Sequence, residues 1–157
     1  LIISILLSLK KNKVSALGVD ICKKALDTAD KNLKKFNLEK KLKLKKSDWF
    51  SDIHEKFDII ISNPPYIKTS DIKSLDKEVK FYDPLIALNG GFNGLRCFER
   101  IATDAKFHLK QNGIILLEIG FGQINSVKKI FEEMGYKIFL KEKDLQGITR
   151  VVGFKLK

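Results

Sequence analysis

The sequence predicts a doubly wound α/β domain with a mostly parallel sheet and an antiparallel strand pair at its C-terminal end. Three observations carry that expectation. Segments of strand and helix character alternate along the chain. Two strand segments, Phe57-Asp58-Ile59-Ile60-Ile61 and Ile114 to Ile119, are nearly unbroken apolar runs of the kind buried on both faces. The last two strand-like segments flank a turn signal at Gln146-Gly147. With 157 residues, 44% hydrophobic and 31% charged, and only 10 Gly and 3 Pro, the composition is that of one folded domain over residues 1–157 rather than a disordered or repetitive segment.

The chain opens on an apolar run, Leu1 to Leu9, with nothing basic before it. A secretory signal carries a charged segment and a small-residue cleavage site, and a membrane span needs about 20 apolar residues. The run therefore reads as the tail of a buried helix ending at Lys10-Lys11-Asn12, and the start without Met as the beginning of a partial chain. Val14 to Val19 is expected to form a strand closed by Asp20. Ile21 to Phe36 places Ile21, Ala25, Ala29, Leu33 and Phe36 at helical spacing, with Asn37 as the stop. Lys41-Leu42-Lys43-Leu44-Lys45 alternates strictly, as an edge strand with one wet face does. Phe57 to Ile61 reads as a central parallel strand, cut off in Ser62-Asn63-Pro64-Pro65-Tyr66 by prolines that cannot continue a ladder. After a long loop from Ile67 to about Gly94, a helix from Leu95 to Leu109 is expected to bury Phe98, Ile101, Ala102 and Ala105. Asn112-Gly113 turns the chain into the strand Ile114 to Ile119. Gln123 to Met134 reads as a helix with Ile124, Val127, Ile130 and Phe131 inward, closed by Gly135. Tyr136 to Leu140 and Arg150 to Leu156 form the terminal antiparallel pair.

The net charge of +11 invites a nucleic-acid partner, but the excess is local: residues 31–46 carry eight Lys and one Glu, whereas residues 47–157 carry seventeen bases and fifteen acids. Lys outnumbers Arg 27 to 3, and Arg is the better reader of phosphates and bases. The stretch therefore reads as a solvated helix face running into a lysine-decorated strand, and nucleic acid is not a required partner. Cys22 and Cys97 are too few and too far apart for a disulfide framework or a zinc site, so a reducing, cytoplasmic compartment is expected. His54 and His108 are read as solvent-facing or packing residues, and no metal is assigned.

Ligands of doubly wound sheets lie at the carboxyl ends of the strands. Three such ends bear chemistry here: Asp20, Ser47-Asp48-Trp49 and Asn63-Pro64-Pro65-Tyr66. Asp20 has acceptors suited to ribose hydroxyls, and equally those of a helix N-cap. Asp48 offers an acceptor for an exocyclic amine; Trp49 offers either a flat face for an adenine or an ordinary core aromatic. The tetrapeptide is the specific signal. Its prolines lack N–H groups, fix φ and leave their carbonyls free. An amide or aromatic amine is a poor nucleophile because its lone pair is delocalised. Held by the Asn63 side-chain oxygen and the Pro64 carbonyl, with Tyr66 packed over the planar group, such a nitrogen is aimed at an electrophile and its developing charge is stabilised.

Asn63-Pro64-Pro65-Tyr66 after an apolar strand resembles the signature of S-adenosylmethionine-dependent methyltransferases acting on planar nitrogens. With Ser47-Asp48-Trp49-Phe50, the segment Glu78-Val79-Lys80-Phe81-Tyr82-Asp83-Pro84-Leu85 and the segment Ala87-Leu88-Asn89-Gly90-Gly91-Phe92-Asn93-Gly94-Leu95, the whole chain resembles the catalytic domain of the HemK-type release-factor glutamine methyltransferases. The resemblance implies a class I methyltransferase fold. It implies S-adenosylmethionine as cofactor, with its ribose on Asp20, its adenine flanked by Asp48 and Trp49, and Asn63 where methyl donor and substrate meet. It further implies that Asn63, Pro64, Pro65 and Tyr66 hold the glutamine of the Gly-Gly-Gln loop of a peptide chain release factor, that residues 78–95 take part in substrate choice, and that transfer is a direct displacement. Family members carry a first strand and a glycine-rich loop ahead of the equivalent of Leu1, so the isolated 157 residues are expected to bind the cofactor weakly. Two alternatives stand beside this reading: an amino-group methyltransferase of adenine or guanine in nucleic acid, for which a base would be flipped into the site, and an inactive truncated remnant.

Overall fold

The structure, a computed structural model, describes residues 1–9, 14–76, 78 and 84–157. The expected helix end at Lys10-Lys11-Asn12 and residues 79–83 of the 78–85 motif lie outside the described residues. The chain divides into two compact units, Leu1–His54 and Glu55–Lys157.

The first unit runs α1 (Ile2–Ser8), β1 (Ala16–Asp20), α2 (Lys23–Lys35) and β2 (Leu42–Lys46). The two strands pair in parallel, Ala16 opposite Leu42 and Asp20 opposite Lys46. Leu6, Leu33, Leu38 and Leu42 form its core, with Ile2, Ile3, Val14, Ala16 and Leu44 packed against them. In β2 the alternation holds at Leu42, which is buried, and Lys43, which is exposed. The expected inward face of α2 needs correction. Leu26 and Leu33 are its buried residues, whereas Ile21 and Phe36 are more than two-fifths exposed. Both lie outside the helix proper, so counting from them rotates the face. Asn37 ends the helix as expected: at φ +54° it lets the Leu38 amide reach the Leu33 carbonyl at 3.0 Å and its own amide reach that of Lys34 at 3.1 Å, a Schellman closure with Leu33 and Leu38 both buried.

The second unit runs β3 (Phe57–Ser62), a 3₁₀ turn (Asp71–Ser74), α3 (Leu85–Leu88), α4 (Arg96–His108), β4 (Leu109–Glu118), α5 (Ile124–Glu133), β5 (Tyr136–Lys143) and β6 (Thr149–Leu156). Its four-stranded sheet has the order β3-β4-β6-β5, the first pair parallel and the others antiparallel. The terminal antiparallel pair is thus as the sequence predicts. Strand β3, expected at the centre, is an outer strand of this sheet, and Ile59 is half exposed. An apolar run reports residue type alone; it counts neither neighbours nor exposure. The predicted face of α4 is correct: Phe98, Ile101, Ala102 and Ala105 are sealed from solvent. From α5, Phe131 stacks on Phe154 of β6 at a centroid distance of 4.2 Å. The buried Tyr136 hydroxyl donates to the Ala102 carbonyl at 3.1 Å, tying β5 to α4. No helix among the described residues is long and apolar enough to cross a membrane.

The parallel register of β3 and β4 pairs Ser62 with Leu117. Asn63–Tyr66 and the turn after Glu118 therefore leave the sheet at the same end.

Candidate functional site

In the first unit the ends of β1 and β2 are joined, because the Ser47 amide donates to the Asp20 carbonyl at 3.1 Å. Asp20 is exposed, and its Oδ1 accepts the Cys22 amide at 2.8 Å. Cys22, not Asp20, is the N-cap of α2. The carboxylate closes a turn ahead of the helix, and its second oxygen has no partner among the described residues. Past β2, Ser47 is buried at 3% exposure; its hydroxyl donates to the Trp49 carbonyl at 2.9 Å and accepts the Asp52 amide at 3.2 Å. The Asp48 carbonyl accepts the Ser51 amide and hydroxyl at 3.2 and 2.7 Å. Between them Trp49 adopts φ +56°, the left-handed region, which costs a residue with a Cβ about 1–2 kcal/mol. Trp49 is half-buried. An acidic acceptor and an aromatic plate stand at one end of two parallel strands, a pairing of groups whose chemistry is compatible with an adenosine.

In the second unit the tetrapeptide is a rigid exit from β3. Pro64 is buried, Asn63 is exposed, and Pro65 and Tyr66 are half-buried. The Asn63 side chain has no hydrogen-bond partner among the described residues. Tyr66 is gripped on several sides. Its hydroxyl donates to Glu118 Oε1 at 3.4 Å, and its carbonyl accepts from Gln123 Nε2 at 3.1 Å. Burial pushes the Tyr66 phenol pKa up from 10.0, with the Glu118 carboxylate adding to the rise and Arg150 opposing it.

The segment from Ala87 to Leu95 braces this exit. The Ile67 amide donates to the Leu88 carbonyl at 3.0 Å, and the Gly90 amide to the Ile67 carbonyl at 2.8 Å. Asn89 Oδ1 accepts both the Thr69 hydroxyl at 2.9 Å and the Gly91 amide at 2.8 Å. A Cβ on Gly90 would stand 2.8 Å from the Tyr66 Cα, and one on Gly94 2.5 Å from the Tyr66 carbonyl oxygen. These glycines let a loop press directly on the tetrapeptide's backbone. Phe92, between them, is almost wholly exposed at 96%.

Residues 2–79 match the methyltransferase small domain family. The chain is 42% identical over 143 residues to a release factor glutamine methyltransferase of Agrobacterium fabrum, covering 91% of this chain and 50% of that protein. It is 43% identical over 152 residues to a release factor glutamine methyltransferase of Streptococcus pneumoniae, covering 95% of this chain and 54% of that one. The chain carries part of a methyltransferase domain and is similar to the release factor glutamine methyltransferases. It spans about half the length of these curated relatives. A methyltransferase structure from Pyrococcus furiosus matches this chain with a TM-score of 0.69 at 18% identity, over 98% of this chain and 68% of that one, a likeness of fold. The fold is that of the class I methyltransferases.

Sequence reasoning missed the parts of this chain that hold Tyr66: Glu118, Gln123, and Gly90 and Gly94 as close-packing positions. The signal for the glycines was present in the Asn-Gly-Gly and Asn-Gly spacings of residues 89–94. Gln123 gave none, being one polar residue at a helix start.

Proposed function

We propose that the protein at full length transfers a methyl group from S-adenosylmethionine to the side-chain amide nitrogen of the glutamine in the Gly-Gly-Gln loop of a peptide chain release factor, in the cytoplasm. The names of the curated relatives support the substrate class. The observation that carries the chemistry is the proline-locked exit from β3, with Pro64 anchored in the interior and the Asn63 amide exposed beside it. When bound, S-adenosylmethionine supplies a methyl group on a sulfonium sulfur, ready for direct displacement. Asp20 accepts from its ribose hydroxyls, and Asp48 and Trp49 flank its adenine. Asn63 Oδ1 and the Pro64 carbonyl each accept one N–H of the substrate amide, which turns the face of its nitrogen to the electrophile. Tyr66 packs over the amide plane, and Pro65 keeps the spacing fixed. With its pKa raised, the Tyr66 phenol stays protonated at neutral pH and takes no proton. The methylated nitrogen sheds its proton readily, so no general base is assigned.

The full-length protein, incubated with methyl-labelled S-adenosylmethionine, should label a release factor but neither its Gln→Ala variant nor duplex DNA. Label on that variant, or on DNA alone, defeats this reading. Asn63→Ala should lower transfer by about 10²- to 10³-fold, the cost of losing one preorganised group at the developing charge, while the circular dichroism spectrum is unchanged.

A further inference from the structure

Gln123 leads from the turn after β4 into α5, and the chemistry of the tetrapeptide does not call for it. Its carboxamide is nevertheless fully committed. Nε2 donates to the carbonyls of Tyr66 at 3.1 Å and Gly94 at 3.2 Å, and Oε1 accepts the Gly120 amide at 2.9 Å. A carboxamide has two N–H donors, and both are spent on backbone carbonyls from segments 57 and 29 residues away in sequence. The same three segments close on Tyr66 again: the Gly94 backbone lies against its carbonyl, and Gly120 is so near its ring that a Cβ there would stand 2.9 Å from Cδ2.

We propose that Gln123 is a positioning residue for methyl transfer, fixing the Tyr66 carbonyl and through it the direction of the Asn63 amide and the Pro64 carbonyl. The prolines are what make such transmission effective. With φ locked at Pro64 and Pro65, little backbone freedom remains between Asn63 and Tyr66 to absorb a displacement. A shift of about 1 Å at a reacting group can cost about 100-fold in rate. The proposal rests on the tetrapeptide holding the substrate amide, and adds the group that aims it.

Two variants test it in the full-length protein. Gln123→Ala removes all three bonds. Gln123→Glu keeps the shape but sets a carboxylate against two carbonyls, and protonation returns one donor. Melting temperatures establish that each variant is folded at the assay temperature. In both, kcat at pH 8 should fall by about 10- to 100-fold with KM for the release factor changed less than about twofold. Only in Gln123→Glu should kcat recover as the pH is lowered towards 6. Folded variants with wild-type kcat would overturn the proposal. A readout independent of turnover is the pair of Asn63 side-chain amide signals in nitrogen-15 correlation spectra. These should shift in both variants, and unshifted signals overturn the positioning role whichever substrate is methylated. A wild-type protein that leaves the release factor unlabelled overturns the substrate reading instead, while the Asn63 signals still decide the role of Gln123.

Discussion

Gly94 and Gly122 share a backbone φ of +75° and differ in what surrounds them. Nothing lies within 4 Å of a Cβ on Gly122, whereas one on Gly94 meets the Tyr66 carbonyl at 2.5 Å. Gly122→Ala should therefore cost about 1–2 kcal/mol of backbone strain and leave methyl transfer unchanged. Gly94→Ala carries the same strain and a clash with immovable backbone, so its melting temperature should fall further and transfer should fall with it. Equal behaviour of the two variants would remove the close approach from the account. This contrast also marks what a sequence discloses at this scale. Asn63, Pro64, Pro65 and Tyr66 are legible because their chemistry is local to four consecutive residues. Gln123 and Glu118 are not, because their meaning comes from partners up to 57 residues away, and a glutamine at a helix start looks the same whether it faces water or three backbone groups.

Helices and strands are legible wherever their apolar period is sustained, as in α4, where spacing predicts Phe98, Ile101, Ala102 and Ala105 of the buried face and misses only Cys97. The lapse at α2 starts at its ends: Ile21 sits in the turn closed by Asp20 and Phe36 at the C-cap, where helical spacing no longer applies, and counting on from Ile21 also selects Ala25, which is exposed, in place of Leu26. The β5–β6 hairpin shows a different local device. Asp144 Oδ1 accepts the amides of Gln146 and Ile148 at 2.9 and 3.0 Å, and Oδ2 accepts from Arg150 Nε at 3.0 Å. The Ile148 amide, followed by Arg150 and the Gln146 amide, holds this carboxyl below the usual carboxylate range. A depressed pKa contributes stability above the unfolded value, near 4, that is lost as pH falls through the folded value. The difference in melting temperature between wild type and Asp144→Asn should therefore be level from pH 8 to 5 and shrink below pH 4; a difference that does not vary with pH refutes the assignment. Where α5 packs on these strands, Phe131→Ala should destabilise by about 3–5 kcal/mol, because the Phe154 and Tyr136 rings cannot close the space it leaves. Urea titration reads that loss directly.

Across the molecule, burial is unevenly shared between the two units. Phe98, Ala102, Ile115, Leu117, Ile119, Val127, Phe131, Tyr136, Val152 and Phe154 of the second are sealed at 0% exposure, while the core of the first retains 2–5%. Native-state hydrogen exchange should therefore be slowest in β4 and β6 and faster in β1 and β2; the reverse order would show that burial does not set local stability here. The positive excess is concentrated as well: residues 31–46, which hold most of it, run from the end of α2 through the connecting turn into β2, away in sequence from the neutral tetrapeptide. The alternation of elements made the fold class readable from end to end, but not the strand order, since the outer place of β3 depends on pairings that no single segment encodes. The left-handed turn at the end of β2 has one more consequence. Its Trp49 is the sole indole of the chain. Ultraviolet emission excited selectively from tryptophan in these 157 residues thus originates from that turn alone, and they carry a built-in optical gauge of the strand end proposed to hold adenosine, readable without any attached dye.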